Sequence, residues 1–562
     1  MKDMNQRVFI TLALTLAVWW GYELVFRPKP VPHAAGVAAT TAPASPAAAV
    51  PPPSDPRAPS AVDVPRGTSP AGAPRPAGHR VTLDTARLHL VLTSDGAAIE
   101  QALLKGDKFK RHTEAGRDEA QVNLVASRAG EPLPLSTVVK SASGTVLVPA
   151  DAAYEVLRHD DHSATFRAQV EGVTVLKTLT VDTANYRLDL NVEVRAAAAL
   201  AGHLDVLIGG HGEAPSGGLF GSRSSLPART ICAAGSKIER VAVGAKTPFW
   251  DGPGAVEFAG IDEQYFLAAV VPPAQPPATC HLEARPDGAL VSTVTTPVSV
   301  GAANASTLAF TVYLGPKDTE ELSAVAKPLR HAIDFGFWSI IADVLLGVMR
   351  FFYKVVPGHN WGIAIILLTV SMKILTFPLQ HKSMKSMQEM QRIQPQLEEM
   401  KKKFAGDTQR QNVEQMKLFK EHGVNPMGSC LPMLIQMPIW FALYTTLQVS
   451  VELYNSVFIP GWLTDLTAKD PYYILPVAMG ATMILTQVLT PAPMSNPSQK
   501  TMGYAMSGFF SLLMMTLPSG LTLYIFVNNV LSITQQMYLR RTMKPPSPPA
   551  RGQTVAIRPQ RV

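Results

Sequence analysis

Lys373 sits inside the apolar run Trp361–Leu379, where a free ammonium at the centre of a bilayer costs roughly 2.5–3.5 kcal/mol on insertion scales. If the run is a helix, Thr369, Lys373, Thr376 and Gln380 follow at steps of four, three and four and share one face. Hydroxyl, amide and ammonium groups in a line on an apolar rod suit a wet cavity that offers positive charge to an anionic visitor. The competing reading is a lysine near the inner end of a span that snorkels its head group to the interface. A second stripe, Tyr524, Asn528, Ser532 and Gln535, falls on one face of the last apolar run, and Ser507 and Ser511 pair on the run before it. Helix-to-helix hydrogen bonds account for a residue or two of this kind. Several stripes and one lysine point instead to a shared hydrophilic concavity. No acidic residue lies within these runs to neutralise Lys373, because Glu452 falls at the outer end of its helix.

Other chemistry finds no residues to perform it. The chain lacks a Walker-type phosphate loop, a His-Glu-x-x-His zinc pair, a Gly-x-Ser-x-Gly elbow and paired aspartates within apolar runs. His359, His381 and His422 stand at run ends or in loops without ligand spacing and read as solvated. The expectation is a protein with no catalytic residue, metal or cofactor, whose work on substrates is driven by their own hydrophobicity.

The elements that must hold these residues follow from the pattern of apolar runs. A chain of 562 residues with mean hydropathy +0.11 and uneven hydrophobicity is a membrane protein with a large soluble portion. Val8–Phe26 is long enough to span and has no small-residue cleavage pattern after it, so residues 1–29 read as an uncleaved signal anchor. Residues 30–79, dominated by Pro and Ala, form a disordered tether. Residues 80–325 alternate in short stretches such as Val173–Val181 and Tyr186–Val194, separated by turn residues such as Asp182–Asn185, and predict an antiparallel β-sandwich. Cys232 and Cys280 lie there, compatible with a disulfide in an oxidising compartment and equally with two buried thiols; Cys430, opening an apolar run, reads as packing.

Residues 326–358 carry Ile333, Phe337, Ile340, Ile341, Val344, Leu345, Val348 and Phe352 at helical spacing against Arg330, Asp334, Asp343 and Arg350, which suits an interfacial helix or one packed on the soluble domain. Residues 359–540 hold five apolar runs, beginning with Trp361–Leu379 and continuing with Cys430–Val451, Tyr472–Thr490, Gly503–Leu517 and Leu521–Tyr538. Pro518, Ser519 and Gly520 force a tight turn between the last two. With the anchor this makes six spans. The loop 381–425 and the tail 541–562 are rich in Lys and Arg, which places both in the cytoplasm, the N-terminus with them, and the β domain outside. The loop reads as a mobile helical hairpin broken near Ala405–Asp407. Of the 21 methionines, all but Met1, Met4 and Met349 lie from Met372 onward, either filling gaps or presenting a surface that adapts to many apolar partners.

Asn360, Trp361 and Gly362 opening a span, a basic residue further along it, and then Phe377, Pro378 and Leu379 resemble the core of the YidC family of membrane protein insertases. So do Asn425, Pro426, Gly428 through Cys430, Pro432, Gln436, Pro438 and Ile439 to Tyr444, the stretch Asp470–Pro476, and Pro518–Leu521 with Tyr524. The resemblance covers about 359–541 closely, and the anchor, tether and β domain suit the Gram-negative type. It implies an insertase and chaperone of the inner membrane with a groove open to cytoplasm and lipid and closed on the outer side. In that groove Lys373, with Thr369, Thr376, Gln380, Tyr524, Asn528 and Ser532, receives the polar, often acidic, leading segment of a nascent membrane protein. The family usually has arginine at 373; lysine keeps the charge and loses the planar fork. Ile525 replaces a tyrosine and Ser429 a frequent glycine. The third and fifth spans, here with Met433, Met437, Phe441, Met506, Phe510 and Met514, form the slide for the substrate's own span. Implied partners are the Sec translocon, ribosome–nascent chain complexes and the lipid bilayer, with a monomer as the functional unit; the β domain resembles a sandwich shared with sugar-processing enzymes and receives no activity. Two rival functions remain: a small-solute transporter using Lys373 as an anion site, though no inverted repeat is evident, and a scaffold for the β domain, which needs no polar stripe.

Overall fold

The computed structural model describes residues 78–112, 119–213, 226–235, 237–252, 254–301, 304–422, 431–489 and 497–542. The anchor, residues 30–77 of the tether, the tail from 543 and the stretch Asn425–Cys430 lie outside them. The chain falls chiefly into two compact units, one ending at Ala332 and one from Ile333 onward.

Among the described residues the first unit has four antiparallel sheets, two of them large and two small, of three strands (Arg80–Asp84, Leu88–Thr93, Ala98–Leu104) and two strands (Lys110–His112, Glu119–Gln121). One large sheet has nine strands, in the order Lys237–Ala242, Arg229–Ala234, Val256–Asp262, Phe266–Val271, Ala305–Pro316, Arg187–Ala196, Val173–Val181, Ser163–Val170 and Glu155–His159. The other large sheet has six, in the order Phe249–Gly252, Thr279–Ala284, Ala289–Val300, Leu200–His211, Thr137–Ser141 and Val146–Val148. Strand Val173–Val181 exemplifies the local cause: Val173, Val175, Leu179 and Val181 are buried on alternate positions, and the strand pairs with Arg187–Ala196 across a turn in which Asp182 accepts the Ala184 N–H at 2.8 Å. Cys232, in the nine-stranded sheet, is disulfide-bonded to Cys280 of the six-stranded one, so the bond joins the layers.

Two of the buried polar centres in this interior hold turns and strands together. Lys177 takes a core position on its strand and donates to the carbonyls of Gly96, Ala97 and Leu135 at 2.8, 2.8 and 2.7 Å. Burial pushes its pKa down to about 7. Ala97 and Leu135 lie in the left-handed region, at φ 44° and 67°, so the lysine fastens two turns that L-residues adopt at a cost. The second centre is Asp262, which accepts from Lys317 at 2.8 Å, Arg229 at 2.9 Å and Arg240 at 3.0 Å. Burial alone would raise its carboxyl, but the three cations, Lys317 foremost, outweigh that and hold it at about 2. Arg240 also reaches the Ala332 carbonyl at 3.2 Å, tying the end of this unit to its sheet. Helix α1, Thr319–Val325, lies just before that exit and is capped by Asp318.

The second unit is helical: α2 Ser339–Val355, α3 Trp361–Arg392, α4 Gln394–Lys403, α5 Thr408–Glu421, α6 Leu431–Val449, α7 Ile474–Leu489, α8 Pro497–Met514 and α9 Ser519–Thr542. By length and composition Gly336–Val355 and Trp361–Ser383 can cross a membrane, and Ile474–Leu489 is a shorter apolar helix. One core joins α2, α3, α6, α7, α8 and α9 through residues such as Leu346, Met349, Leu368, Leu443, Met479 and Leu521. Large apolar side chains remain on the outside, among them Ile340, Ile374, Leu375, Val488 and Leu512, as lipid-facing helices require.

Three features depart from expectation. Helix α3 continues without a break past Gln380 and His381 to Arg392, so the first arm of the expected hairpin is an extension of the Lys373 helix. Its residues 382–392 include Lys, Met, Gln and Glu, all good helix formers, and Pro378 is absorbed within it. Helix α2 is apolar on two faces: Ala342, Leu345, Leu346 and Met349 are buried, whereas Phe337, just before it, and Ile340, Val344, Phe351 and Val355 are exposed. Met514, expected on the substrate slide, is 2% exposed and belongs to the helical core, because the face of α8 that carries it packs inward.

Candidate substrate groove

Asn360 starts α3. Its side-chain carbonyl accepts from the N–H groups of Gly362 and Ile363 at 2.9 and 3.2 Å, and its amide donates to the Phe458 carbonyl at 3.2 Å. Gly362 lets the Phe458 ring lie against the helix backbone, where a Cβ would come within 2.1 Å of it. The segment 450–470 thereby covers the end of the bundle at which α3 and α9 begin. It is fixed there by Ser519 N–H to the Ala468 carbonyl at 2.7 Å and Gly520 N–H to the Leu466 carbonyl at 2.9 Å. Asp470 accepts from the Trp462 indole at 2.9 Å and from the Leu475 N–H at 2.7 Å, capping α7.

Below this cover, α3 and α9 lie side by side, and Lys373 donates to the Ser532 hydroxyl at 2.7 Å. Ser532 passes its own hydrogen to the Asn528 carbonyl at 2.7 Å. Among the described residues no carboxylate pairs with Lys373, so its charge is held by a neutral hydroxyl. The other hydroxyls on its face behave differently. Thr369, fully buried, donates back to the Ile365 carbonyl at 2.7 Å, and Thr376 to the Met372 carbonyl at 2.8 Å. These groups neutralise themselves within their helix and leave the lysine as the charged feature of the stripe. Gln380 and Asn528 are half-buried.

Tyr524 is 2% exposed and accepts from the Gln436 side-chain amide at 3.0 Å, a bond between α9 and α6. Gln436 was not among the expected groove residues, although its position one turn from Pro432 on an apolar run made it visible as an isolated amide. Ser507 and Ser511 turn away from the lysine toward α7: the Gln487 amide donates to Ser507 at 2.6 Å, and Ser511 donates to the Pro476 carbonyl at 2.8 Å. They are helix-to-helix contacts. Met437 and Phe441 on α6 and Met506 and Phe510 on α8 are half-buried, and Phe510 packs on the core beside Met514. Met433 lies in the first turn of α6.

An antiparallel β domain, together with a separate helical unit that has lipid-compatible outer faces and a lysine in an apolar helical stretch, defines the class: a membrane protein with a large β domain. Residues 80–348 match the family model described as the YidC periplasmic domain, and residues 351–546 the one described as 60Kd inner membrane protein. The membrane protein insertase YidC of Anaeromyxobacter sp. (strain Fw109-5) is 42% identical over 82% of this chain and 84% of its own length. That of Geobacter metallireducens is 32% identical over 96% and 99%. A solved structure, an active YidC insertase with its first transmembrane domain resolved, aligns over 82% of this chain and 92% of its own at 18% identity and TM-score 0.36. The chain belongs to the YidC family of membrane protein insertases.

Proposed function

We propose that this insertase works through a charged groove between α3, α6 and α9, in which Lys373 draws in the polar, often acidic, leading segment of a nascent membrane protein. The observation that carries the reading is the Lys373–Ser532 bond at 2.7 Å in the stretch Trp361–Leu379, which has no other charged residue, with no carboxylate paired to the lysine among the described residues. A hydroxyl holds the ammonium without cancelling its charge, so an arriving carboxylate gains a full attraction at low dielectric. The substrate's own span then moves along Met437, Phe441, Met506 and Phe510, with Met433 at the start of α6. Its burial in lipid supplies about 25 cal/mol per Å² of apolar area. No covalent step and no nucleotide are required.

The same reading gives the chain six spans with both termini and the α4–α5 pair in the cytoplasm and the β domain in the periplasm. It makes α2 an interfacial helix, and it includes chaperone action and cooperation, as a monomer, with the Sec translocon and ribosomes carrying nascent chains. Support comes from the lysines and arginines of 381–425 and 541–562, which favour the cytoplasmic side and suit both RNA phosphate and anionic lipid.

The test is reconstitution of the full chain in liposomes and insertion of a short membrane protein with an acidic leading segment. Lys373→Arg retains activity, and folded Lys373→Ala loses at least about tenfold, corresponding to one charge-assisted hydrogen bond. Equal activity in all three proteins would reduce Lys373 to snorkelling.

A further inference from the structure

Helix α2 is held to the bundle by more than apolar packing. Arg350, in its last turns, donates through Nε to the Glu452 carboxylate at 3.0 Å, and Nη2 bonds the same oxygen. Glu452 stands in the 3-10 turn that follows α6 and is 6% exposed, so this carboxylate is buried and its partner reaches it from another helix. Two further contacts lie alongside: the Thr446 hydroxyl of α6, which donates to its own helix at the Ala442 carbonyl at 2.7 Å, lies 3.4 Å from the Ala342 carbonyl of α2, and Tyr353 of α2 stacks on Trp361 at the start of α3 at 4.3 Å between ring centres. Helix α2 thus touches both helices that border the groove, α3 with Lys373 and α6 with Gln436 and Met437.

We propose that Arg350 and Glu452 are positioning residues for insertion: their ion pair seats α2 and through it fixes the spacing of α3 and α6, on which access of a polar segment to Lys373 depends. A buried pair of this kind is a poor source of net stability, because both ions lose their hydration. It is well suited to fixing one geometry, since a neighbouring arrangement would leave Glu452 buried and unpaired. Removing Arg350 has that effect, whereas removing both partners does not.

This inference rests on the charged-groove reading, and the two can fail separately. Full-length protein in liposomes is given two clients, one with an acidic leading segment and one whose inserted part is wholly apolar and has no polar segment to route past Lys373. Arg350→Ala lowers insertion of the first client about tenfold and leaves the second within about twofold, because only the first needs the groove at its set width. Arg350→Lys restores at least half of the loss, whereas Arg350→Ala with Glu452→Ala relieves the orphaned carboxylate, folds, and still inserts the acidic client below half the native level, because no ion pair then sets α2. Equal loss for both clients would mean a general folding defect and overturn the proposal, as would no loss in a folded Arg350→Ala protein. A folded Arg350→Ala, Glu452→Ala double variant that inserts the acidic client as well as native protein does would also overturn it, and this arm decides the matter where Arg350→Ala alone fails to fold. If native protein inserts the acidic client no better than Lys373→Ala does, the groove reading itself falls.

Discussion

At the scale of single residues, the chain places charge where solvent cannot help and partners it in different ways. Lys373 receives a neutral hydroxyl, Lys177 three carbonyls, and Asp262 three cations. The last has a measurable consequence. The carboxyl of Asp262 is depressed from 3.8 to about 2 in the folded protein, so its contribution is fully present above about pH 4 and is lost as the pH falls through 2. The expected size is about 2 kcal/mol. Thermal melting of the full chain, followed through its β signal between pH 5 and 2, reports this loss, and Asp262→Asn removes that part of the pH dependence while lowering stability at neutral pH. The sequence disclosed these residues unevenly. The stripe of Thr369, Lys373, Thr376 and Gln380 was legible as a helical face because periodicity alone defines it. Where each hydroxyl sends its hydrogen was not: Thr369 and Thr376 bond their own helix, which no spacing distinguishes from a groove. Arg350 and Glu452 stand 102 residues apart, and nothing local in the chain joins them.

At the scale of elements, the alternation in Val173–Val181 and the turn at Asp182–Asn185 marked a hairpin that the register confirms, from Val173 opposite Ala196 to Val181 opposite Leu188. The apolar runs likewise marked helices, but not their ends, since α3 outruns its apolar stretch on good helix formers and on the packing of Met390 against Ile393, Leu397 and Phe419. Met514, buried in the helical core, illustrates a related limit. Methionine on an apolar helix has the same spacing whether it faces lipid or neighbouring helices, and only packing separates the two. In the helical unit a close element contact is the cover over α3, where Phe458 lies on Gly362. Gly362→Val forces the ring off the helix and breaks the seal formed by 450–470; the expected cost is about 1–3 kcal/mol of overpacking. A cysteine at position 365 or 466 in that variant reacts faster with a membrane-impermeant thiol reagent than in the native background; unchanged labelling would show that the loop closes without the Phe458 contact.

At the scale of the whole molecule, two compact units with separate cores make separable tasks the expectation. Deleting most of residues 80–318 while keeping the segment that leads into α2 preserves insertion to within about twofold, because every groove residue lies in the helical unit. Complete loss in a folded deletion protein would assign the β domain a direct part in insertion. The two units also differ in how they are fastened. The β unit has a covalent link between its layers at Cys232–Cys280, and reductant acts on that unit alone, while the helical unit relies on a lipid solvent for the faces that carry Ile340, Leu375 and Val488.

The unbroken run of α3 has a mechanical side. Its 32 residues make a rod about 48 Å long, with Lys373 in its first half and the α4–α5 pair attached beyond its far end. Pro378 lies between, where its ring removes one backbone hydrogen bond and leaves the rod most easily bent. From that point to Arg392 is a lever arm of about 21 Å, so a swing of about ten degrees carries the tip about 4 Å. A load that settles on the α4–α5 pair therefore delivers its torque about one and a half turns from the lysine.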